Sequence, residues 1–163
     1  MIEDRTTRRL DGDDLETWSA LATVLEWLPA ALDEQLQRDA QVTHFEYGIL
    51  YALANAPEAT LRMSVLAGFA NSSLSRLSRA ATRLEARGWV QRATDPADGR
   101  FTLAMLTESG RAKFAEASPG HVELVHRVVL DRLTKQQKRQ LREITSRLLS
   151  GIRDDEGWRP SAS

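Results

Sequence analysis

The sequence predicts a mainly α-helical fold with one small β-hairpin. Apolar residues recur at spacings of three and four over residues 13–40 and again over 141–152, which is typical of amphipathic helices. Between these segments, two helical stretches are separated by a tight turn, and two strand-like runs flank "DPADGR". These three observations place a small lobe with a hairpin between long terminal helices.

The composition excludes several kinds of site. The 163 residues, 42% of them hydrophobic, suffice for one compact unit. The absence of cysteine excludes disulfides, thiolate metal sites and cysteine-based oxidant sensing, and it fits a reducing, cytoplasmic setting. No apolar run approaches the roughly 20 residues of a membrane span, so we expect neither a signal peptide nor a membrane helix.

The first predicted helix, residues 13–40, is apolar around most of its circumference. Its main seam comprises Leu15, Trp18, Ala22, Leu25, Pro29, Leu32 and Leu36. Because Val24, Trp27 and other apolar residues lie outside that seam, the helix needs cover on several sides. We expect a second copy of the chain to supply that cover, and Pro29 should kink the helix.

Three predicted helices follow in the middle of the chain. The second helix begins at "THFE", where Thr43 and Glu46 form a capping box, and it ends near Pro57. The third and fourth helices, residues 63–70 and 73–87, are separated by two residues alone. Two helices on so tight a turn indicate a helix-turn-helix.

The fourth helix has an apolar side and a cationic, hydroxyl-bearing side. The apolar side comprises Leu74, Leu77, Ala81 and Leu84, and the opposite side comprises Ser72, Ser75, Arg76, Arg79 and Arg83. Ser72 or Ser73 should cap this helix, and Gly88 should end it. The cationic side suits a DNA major groove, where Arg76 and Arg79 can bind guanine. The alternative is an ordinary solvated surface.

The distribution of charge favours the DNA interpretation. Residues 71–100 hold six arginines against three acidic residues, a balance of +3 in a chain of net charge −1, so the rest of the chain sums to −4. A basic block on an otherwise acidic chain is typical of a nucleic-acid surface. A solvated charged face remains the alternative.

The predicted hairpin, strands 89–94 and 101–106, carries two opposite charges at its tip. A hairpin after a recognition helix reaches towards the minor groove, where an arginine such as Arg100 is attracted by the negative potential. Asp98 can hold that guanidinium in a bidentate pair. The alternative is a plain Asp-Gly turn with incidental charges.

Two more helices are predicted after the hairpin. Thr107 should cap a long helix that is interrupted near Pro119 and runs to about Arg132. The last helix opens with the capping box "TKQQ". Its inner face comprises Leu141, Ile144, Leu148 and Ile152.

From about residue 15 to 150 the chain resembles the MarR-type winged-helix transcriptional regulators. The resemblance rests on "SLSRLSRAATRLEARGWVQR", on the wing "DPADGR" and on "LTESGR" directly after it. In that family the pattern of Ser75, Ser78, Arg79, Leu84, Glu85 and Gly88 belongs to the recognition helix, and Arg100 matches the wing arginine. Two residues depart from the pattern: Arg62 stands where a threonine cap is frequent, and Arg76 adds a charge.

The resemblance implies a homodimeric regulator, a repressor that binds double-stranded DNA at a pseudo-palindromic operator. The winged helix-turn-helix DNA-binding lobe would comprise residues 43–106. The N- and C-terminal dimerisation helices, residues 13–40 and 107–152, would interlock with a partner chain, and 153–163 would form a disordered tail. Half-sites would lie about 10 bp apart.

The resemblance also implies release by a small aromatic or phenolic effector. Candidate lining residues are Trp18, Trp27, His44, Tyr47 and Tyr51, although aromatic residues at helical spacing are more often plain core. The three histidines lack metal-ligand or catalytic spacing, so we expect no metal, no cofactor and no enzyme. The alternative function is a winged-helix interaction module that does not read DNA.

Overall fold

A computed structural model describes residues 9–152, and it confirms a mainly helical fold with a small antiparallel sheet. The predicted tail, 153–163, lies outside the described residues. The helices are α1 (Gly12–Ala40), α2 (His44–Ala54), α3 (Met63–Phe69), α4 (Leu74–Ala86), α5 (Glu108–Val128) and α6 (Lys135–Ile152). The strands are β1 (Thr60–Arg62), β2 (Val90–Thr94) and β3 (Thr102–Leu106). None of the described helices is long and apolar enough to cross a membrane.

The chain divides between Ala31 and Leu32 into two compact units, so the expectation of one unit is wrong. The reason is the length of α1, which has 29 residues and therefore extends about 44 Å. Its buried residues all lie in its last third: Leu32, Gln35, Leu36 and Ala40. The residues of α2 to α6 belong to the second unit, to which the sites below are confined.

The sheet has three strands in the order β1-β3-β2, whereas the sequence predicted only a hairpin. β2 and β3 form that hairpin, with Val90 opposite Leu106 and Thr94 opposite Thr102. The missed strand β1 pairs Arg62 with Leu103 on the other edge of β3. Three residues are too few to show an alternating pattern, and β1 is a strand only because β3 offers it an open edge.

The core of the second unit joins α2, α3 and α4 to the sheet. It comprises Ile49, Leu50, Leu53, Met63, Leu66, Ala67, Leu77, Ala80, Ala81, Leu84, Val90 and Ala104. The placement of Leu74 on the buried side was wrong, because this side chain is 54% exposed while Ala80 is buried instead. Leu74 is the first residue of α4, where no further turn of the helix lies beyond it to shield the side chain.

The predicted helix caps are confirmed. Thr43 and Glu46 form the reciprocal capping box of α2. Ser73 caps α4 and Thr107 caps α5, each accepting a hydrogen bond from a backbone amide of the first turn. Thr134 and Gln137 form the capping box before α6, and Gly88 follows α4 with a φ of +72°.

The predicted interruption of α5 near Pro119 is wrong, because α5 is one continuous helix through that residue. A proline removes one backbone donor, but a helix can continue through it when the residues before and after the proline are packed against the rest of the protein. Here Ala117 and Leu124 are both buried, and the Ser118 hydroxyl donates to the carbonyl oxygen of Phe114 at 2.7 Å. The helix ends at Val128, and residues Leu130–Arg132 form a separate 3-10 turn.

The predicted inner face of α6 is not internal in the single chain. Residues 135–152 are all described, and none of them is buried. Ile144 is 54% exposed and Ile152 is 74% exposed. The apolar face of this helix is therefore uncovered.

Candidate nucleic-acid interface

α4 presents its polar side to solvent at one surface of the helix-turn-helix. The turn from α3 is closed by the Ser72 amide, which donates to the Ala67 carbonyl at 3.0 Å, and Asn71 adopts a φ of +43°. Ser75, Arg76 and Arg79 are exposed on the helix that follows. Since the buried residues of α4 face the core, these side chains point away from it.

The three predicted arginines of α4 differ in what holds them. The Arg79 side chain is exposed, and it forms no hydrogen bond or ion pair with any of the described residues. The Arg76 guanidinium lies 4.5 Å from the ring centre of Phe45, in a cation–π contact. Arg83 donates from Nε to Oε1 of Glu46 at 2.9 Å. Arg79 therefore has the greatest freedom to bind an external acceptor.

The Arg83–Glu46 pair ties α4 to the start of α2. The Glu46 side chain is only 4% exposed, and its other oxygen accepts from the Thr43 amide at 3.0 Å. Burial, the largest single influence, raises the pKa of Glu46, but the Thr43 amide and the Arg83 guanidinium together outweigh it and lower the pKa. Arg83 was predicted to contact DNA, and its partner Glu46, which lies 37 positions away in the chain, was missed.

A second pair, Glu85 with Arg92, links α4 to strand β2 and was also missed. Arg92 donates from Nη2 to Oε2 of Glu85 at 2.7 Å and from its amide to Oε1 at 3.1 Å, and these hydrogen bonds lower the pKa of Glu85. The same guanidinium donates to the hydroxyls of Thr82 at 3.0 Å and Ser78 at 3.4 Å. Ser78, a predicted DNA residue, is half-buried against β2, and the base of the wing is fixed to α4.

At the wing tip, Asp98 and Arg100 form the bidentate pair that the sequence suggested. Arg100 donates from Nε to Oδ1 at 2.9 Å and from Nη2 to Oδ2 at 2.7 Å, and its amide also donates to Oδ1. These hydrogen bonds lower the pKa of Asp98. Because the Arg100 side chain is 84% exposed while Asp98 is 27% exposed, the tip presents an oriented cation to solvent.

The aromatic candidates for an effector site fall into two groups. Trp18 and Trp27 belong to the first compact unit, where both are exposed. His44, Tyr47 and Tyr51 lie together on α2, and the structure adds Phe114 and His121 of α5, which the sequence did not indicate.

The α2–α5 contact is a polar and aromatic cluster. The ring centres of Tyr47 and His121 are 4.4 Å apart, and the Tyr47 hydroxyl donates to Ser118 Oγ at 3.2 Å. Burial lowers the pKa of His44 and of His121 and raises that of Tyr47. Within residues 9–152 no group of three or more histidine, cysteine or acidic side chains is placed to hold a metal ion.

The region of the helix-turn-helix is similar to a known protein family. A model of the MarR family matches residues 40–100. Transcriptional repressor MprA of Escherichia coli strain K12 is 32% identical over 103 residues, which span 63% of this chain and 58% of MprA. The match thus covers little more than half the length of that relative.

Two solved structures match over nearly their full length. A MarR family transcriptional regulator from Streptomyces coelicolor, crystallised in complex with DNA, has a TM-score of 0.86 and 39% identity, and the match covers 92% of this chain and 99% of that one. AbsC, another MarR family regulator from Streptomyces coelicolor, has a TM-score of 0.86 and 30% identity over 91% of this chain and 100% of its own. This chain therefore belongs to the MarR family of transcriptional regulators.

Proposed function

We propose that this protein is a homodimeric repressor that binds a pseudo-palindromic operator and is released by a small aromatic or phenolic ligand. The observation that carries the proposal is the pair of exposed cations in the lobe: Arg79 on the recognition helix and Arg100 at the wing tip. A helix with exposed serine and arginine suits the major groove, and an arginine on a hairpin suits the minor groove. DNA binding is also what the crystallised Streptomyces regulator does.

Repression and dimerisation rest on further observations. The relative MprA is a transcriptional repressor, which supports the same sign of regulation here. The uncovered apolar face of α6 supports a dimer, because a row of exposed apolar side chains is typical of a surface that binds a partner. A twofold dimer presents two recognition helices and therefore favours an inverted-repeat operator.

The effector proposal rests on the cluster at the α2–α5 contact. Tyr47 and His121 supply stacking surface, and the lowered pKa of His44 and of His121 keeps both imidazoles neutral at physiological pH. A neutral imidazole can donate a hydrogen bond to a carboxylate or accept one from a phenol. The same contact joins the lobe to α5, so a ligand there would act on both regions.

The test begins with selection of binding duplexes from a random DNA library by the full-length protein. Arg79→Ala should weaken binding to the selected duplex by about 5- to 150-fold, equivalent to roughly 1–3 kcal/mol. Arg139→Ala, which removes an exposed arginine from α6, is the matched control and should leave affinity unchanged. Titration of the complex with 4-hydroxybenzoate should then release the DNA.

Each step has an outcome that opposes the proposal. Failure of the protein to select any duplex would favour the interaction module. Equal losses in the two arginine variants would reduce the role of Arg79 to non-specific charge. A complex that persists in saturating phenolic acid would contradict ligand release.

A further inference from the structure

Asp95 is a buried carboxylate at the point where strand β2 passes into the wing tip. Its side chain is 8% exposed, although aspartate is seldom buried without a partner. Oδ1 accepts from the Ala97 amide at 2.9 Å, and Oδ2 accepts from Arg62 Nε at 2.9 Å. The backbone of Asp95 also closes the tip, because its carbonyl accepts from the Asp98 amide at 3.2 Å. Asp95 therefore organises the loop that carries Arg100.

Arg62, the partner of Asp95, comes from the opposite edge of the sheet. It is the last residue of β1 and is paired with Leu103 of the central strand, so its side chain reaches past β3 to a residue that follows β2. On the way its guanidinium carbon lies 4.2 Å from the ring centre of Phe101. Arg62 thus connects the entrance of the helix-turn-helix to the wing tip.

Arginine is an unfavourable residue at the start of α3, because its side chain has no oxygen that could cap the helix. Arg62 occupies the N-cap position of α3, yet its side chain forms no capping hydrogen bond within the described residues. Serine or threonine at an N-cap stabilises a helix, because its side-chain oxygen accepts from a free backbone amide of the first turn. The arginine side chain instead serves the Asp95 and Phe101 contacts, which accounts for this departure from the family pattern.

The Phe101 ring lies beside both Arg62, at the start of α3, and Arg100, at the wing tip. The Arg62 guanidinium lies 4.2 Å and the Arg100 guanidinium 5.9 Å from the centre of its ring. Each arginine is paired with its own carboxylate, Arg62 with Asp95 and Arg100 with Asp98. Two ion pairs with an aromatic ring between their arginines therefore connect the start of α3 to the wing tip.

We propose that Arg62 is a positioning residue for DNA binding, which holds the wing tip against the helix-turn-helix so that Arg100 is presented in one orientation. The inference rests on the proposed function for its DNA readout. Without Arg62, Asp95 is left as a buried carboxylate without its cation, and the tip must open to hydrate it. In an opened tip Arg100 would keep its charge, but its side chain would no longer be held in one orientation.

The first arm of the test uses the protein without DNA. Arg62→Thr removes the clamp but supplies α3 with a capping side chain, so the fold should survive; Arg62→Lys retains the charge without the planar stacking group. In Arg62→Thr the amides of Ala97, Asp98 and Phe101 should exchange hydrogen about tenfold faster, while amides of α4 keep their rates. Unchanged exchange at the tip would overturn the proposal.

The second arm measures preference for A·T over G·C flanks around the selected duplex, with Arg100→Ala as the reference. Arg62→Thr should lower the preference to within about twofold of that reference, and the double variant should show no further loss beyond about twofold. The flank preference of Arg62→Lys should lie between those of the unaltered protein and Arg62→Thr. Retained preference, or fully additive losses, would overturn the positioning role.

The two arms separate this inference from the proposed function. If the unaltered protein selects no duplex, the DNA function fails and the positioning role for DNA falls with it. Hydrogen exchange would still show whether Arg62 holds the tip. If duplexes are selected but Arg62→Thr behaves as the unaltered chain, only the inference fails.

Discussion

α4 and α6 have similar sequence patterns but different surroundings. Both have apolar residues at spacings of three and four with basic residues on the other side. In α4, Leu77 and Leu84 are fully buried, whereas in α6 Ile144 and Leu148 are 54% and 44% exposed. A helical pattern thus predicts an apolar face but does not tell which molecule covers it. Within one chain the apolar side of α4 is covered by α2, α3 and the sheet, while the apolar face of α6 stays exposed to solvent.

The largest expected effect lies in the covered helix. Leu77→Ala should lower the free energy of unfolding by about 2–5 kcal/mol, because it leaves a cavity in a core that is closed on all sides. Leu74→Ala is the matched control in the same helix, and since that side chain is half exposed the loss should stay below about 1 kcal/mol. Urea unfolding measures both, and equal losses would contradict the difference in burial.

The next effect concerns the uncovered helix. Ile144→Asp should dissociate the proposed dimer, because each copy would bury a charge against an apolar surface. Ser146→Asp adds the same charge on the opposite side of α6 and should leave the dimer intact. Sedimentation velocity with circular dichroism distinguishes dissociation from unfolding. A helical Ile144→Asp variant that remains dimeric would show that this face is not the interface.

Features set by neighbouring residues could be predicted from the sequence. The caps at Thr43, Ser73 and Thr107 are decided within one helical turn, so a short stretch of sequence contains all the information needed. The same holds for the Asp98–Arg100 pair, two positions apart. The exposed face of α4 follows from helical periodicity once its core residues are known.

Features that depend on distant residues could not be predicted. Arg62 and Asp95 are 33 positions apart, and their pairing depends on a strand too short to leave a pattern. Arg83 looked like its neighbour Arg79 in sequence because nothing local to α4 shows Glu46 beside it. The continuity of α5 through Pro119 likewise depends on packing around the helix rather than on the proline itself.

The smallest expected effect concerns the contact between α2 and α5, which is polar whereas the core around α4 is apolar. The cluster at that contact contains His44, where burial outweighs the opposing effect of the Asp33 carboxylate on the pKa, and His121, where burial and His44 both lower the pKa. Burial lowers the pKa of both histidines from the ordinary value of 6.5, so the unfolded chain binds more protons than the folded chain just below that value.

The contribution of these histidines to stability is therefore complete above about pH 6.5 and is lost as the pH falls through the lower pKa values of the folded state. Thermal unfolding between pH 7.5 and 5 should show a falling midpoint, and the double variant His44→Gln with His121→Gln should flatten that slope. His126→Gln, which alters an exposed histidine near Asp131, should keep the slope of the unaltered chain. If His126→Gln flattened the slope and the double variant did not, the pH sensitivity would lie outside the α2–α5 contact.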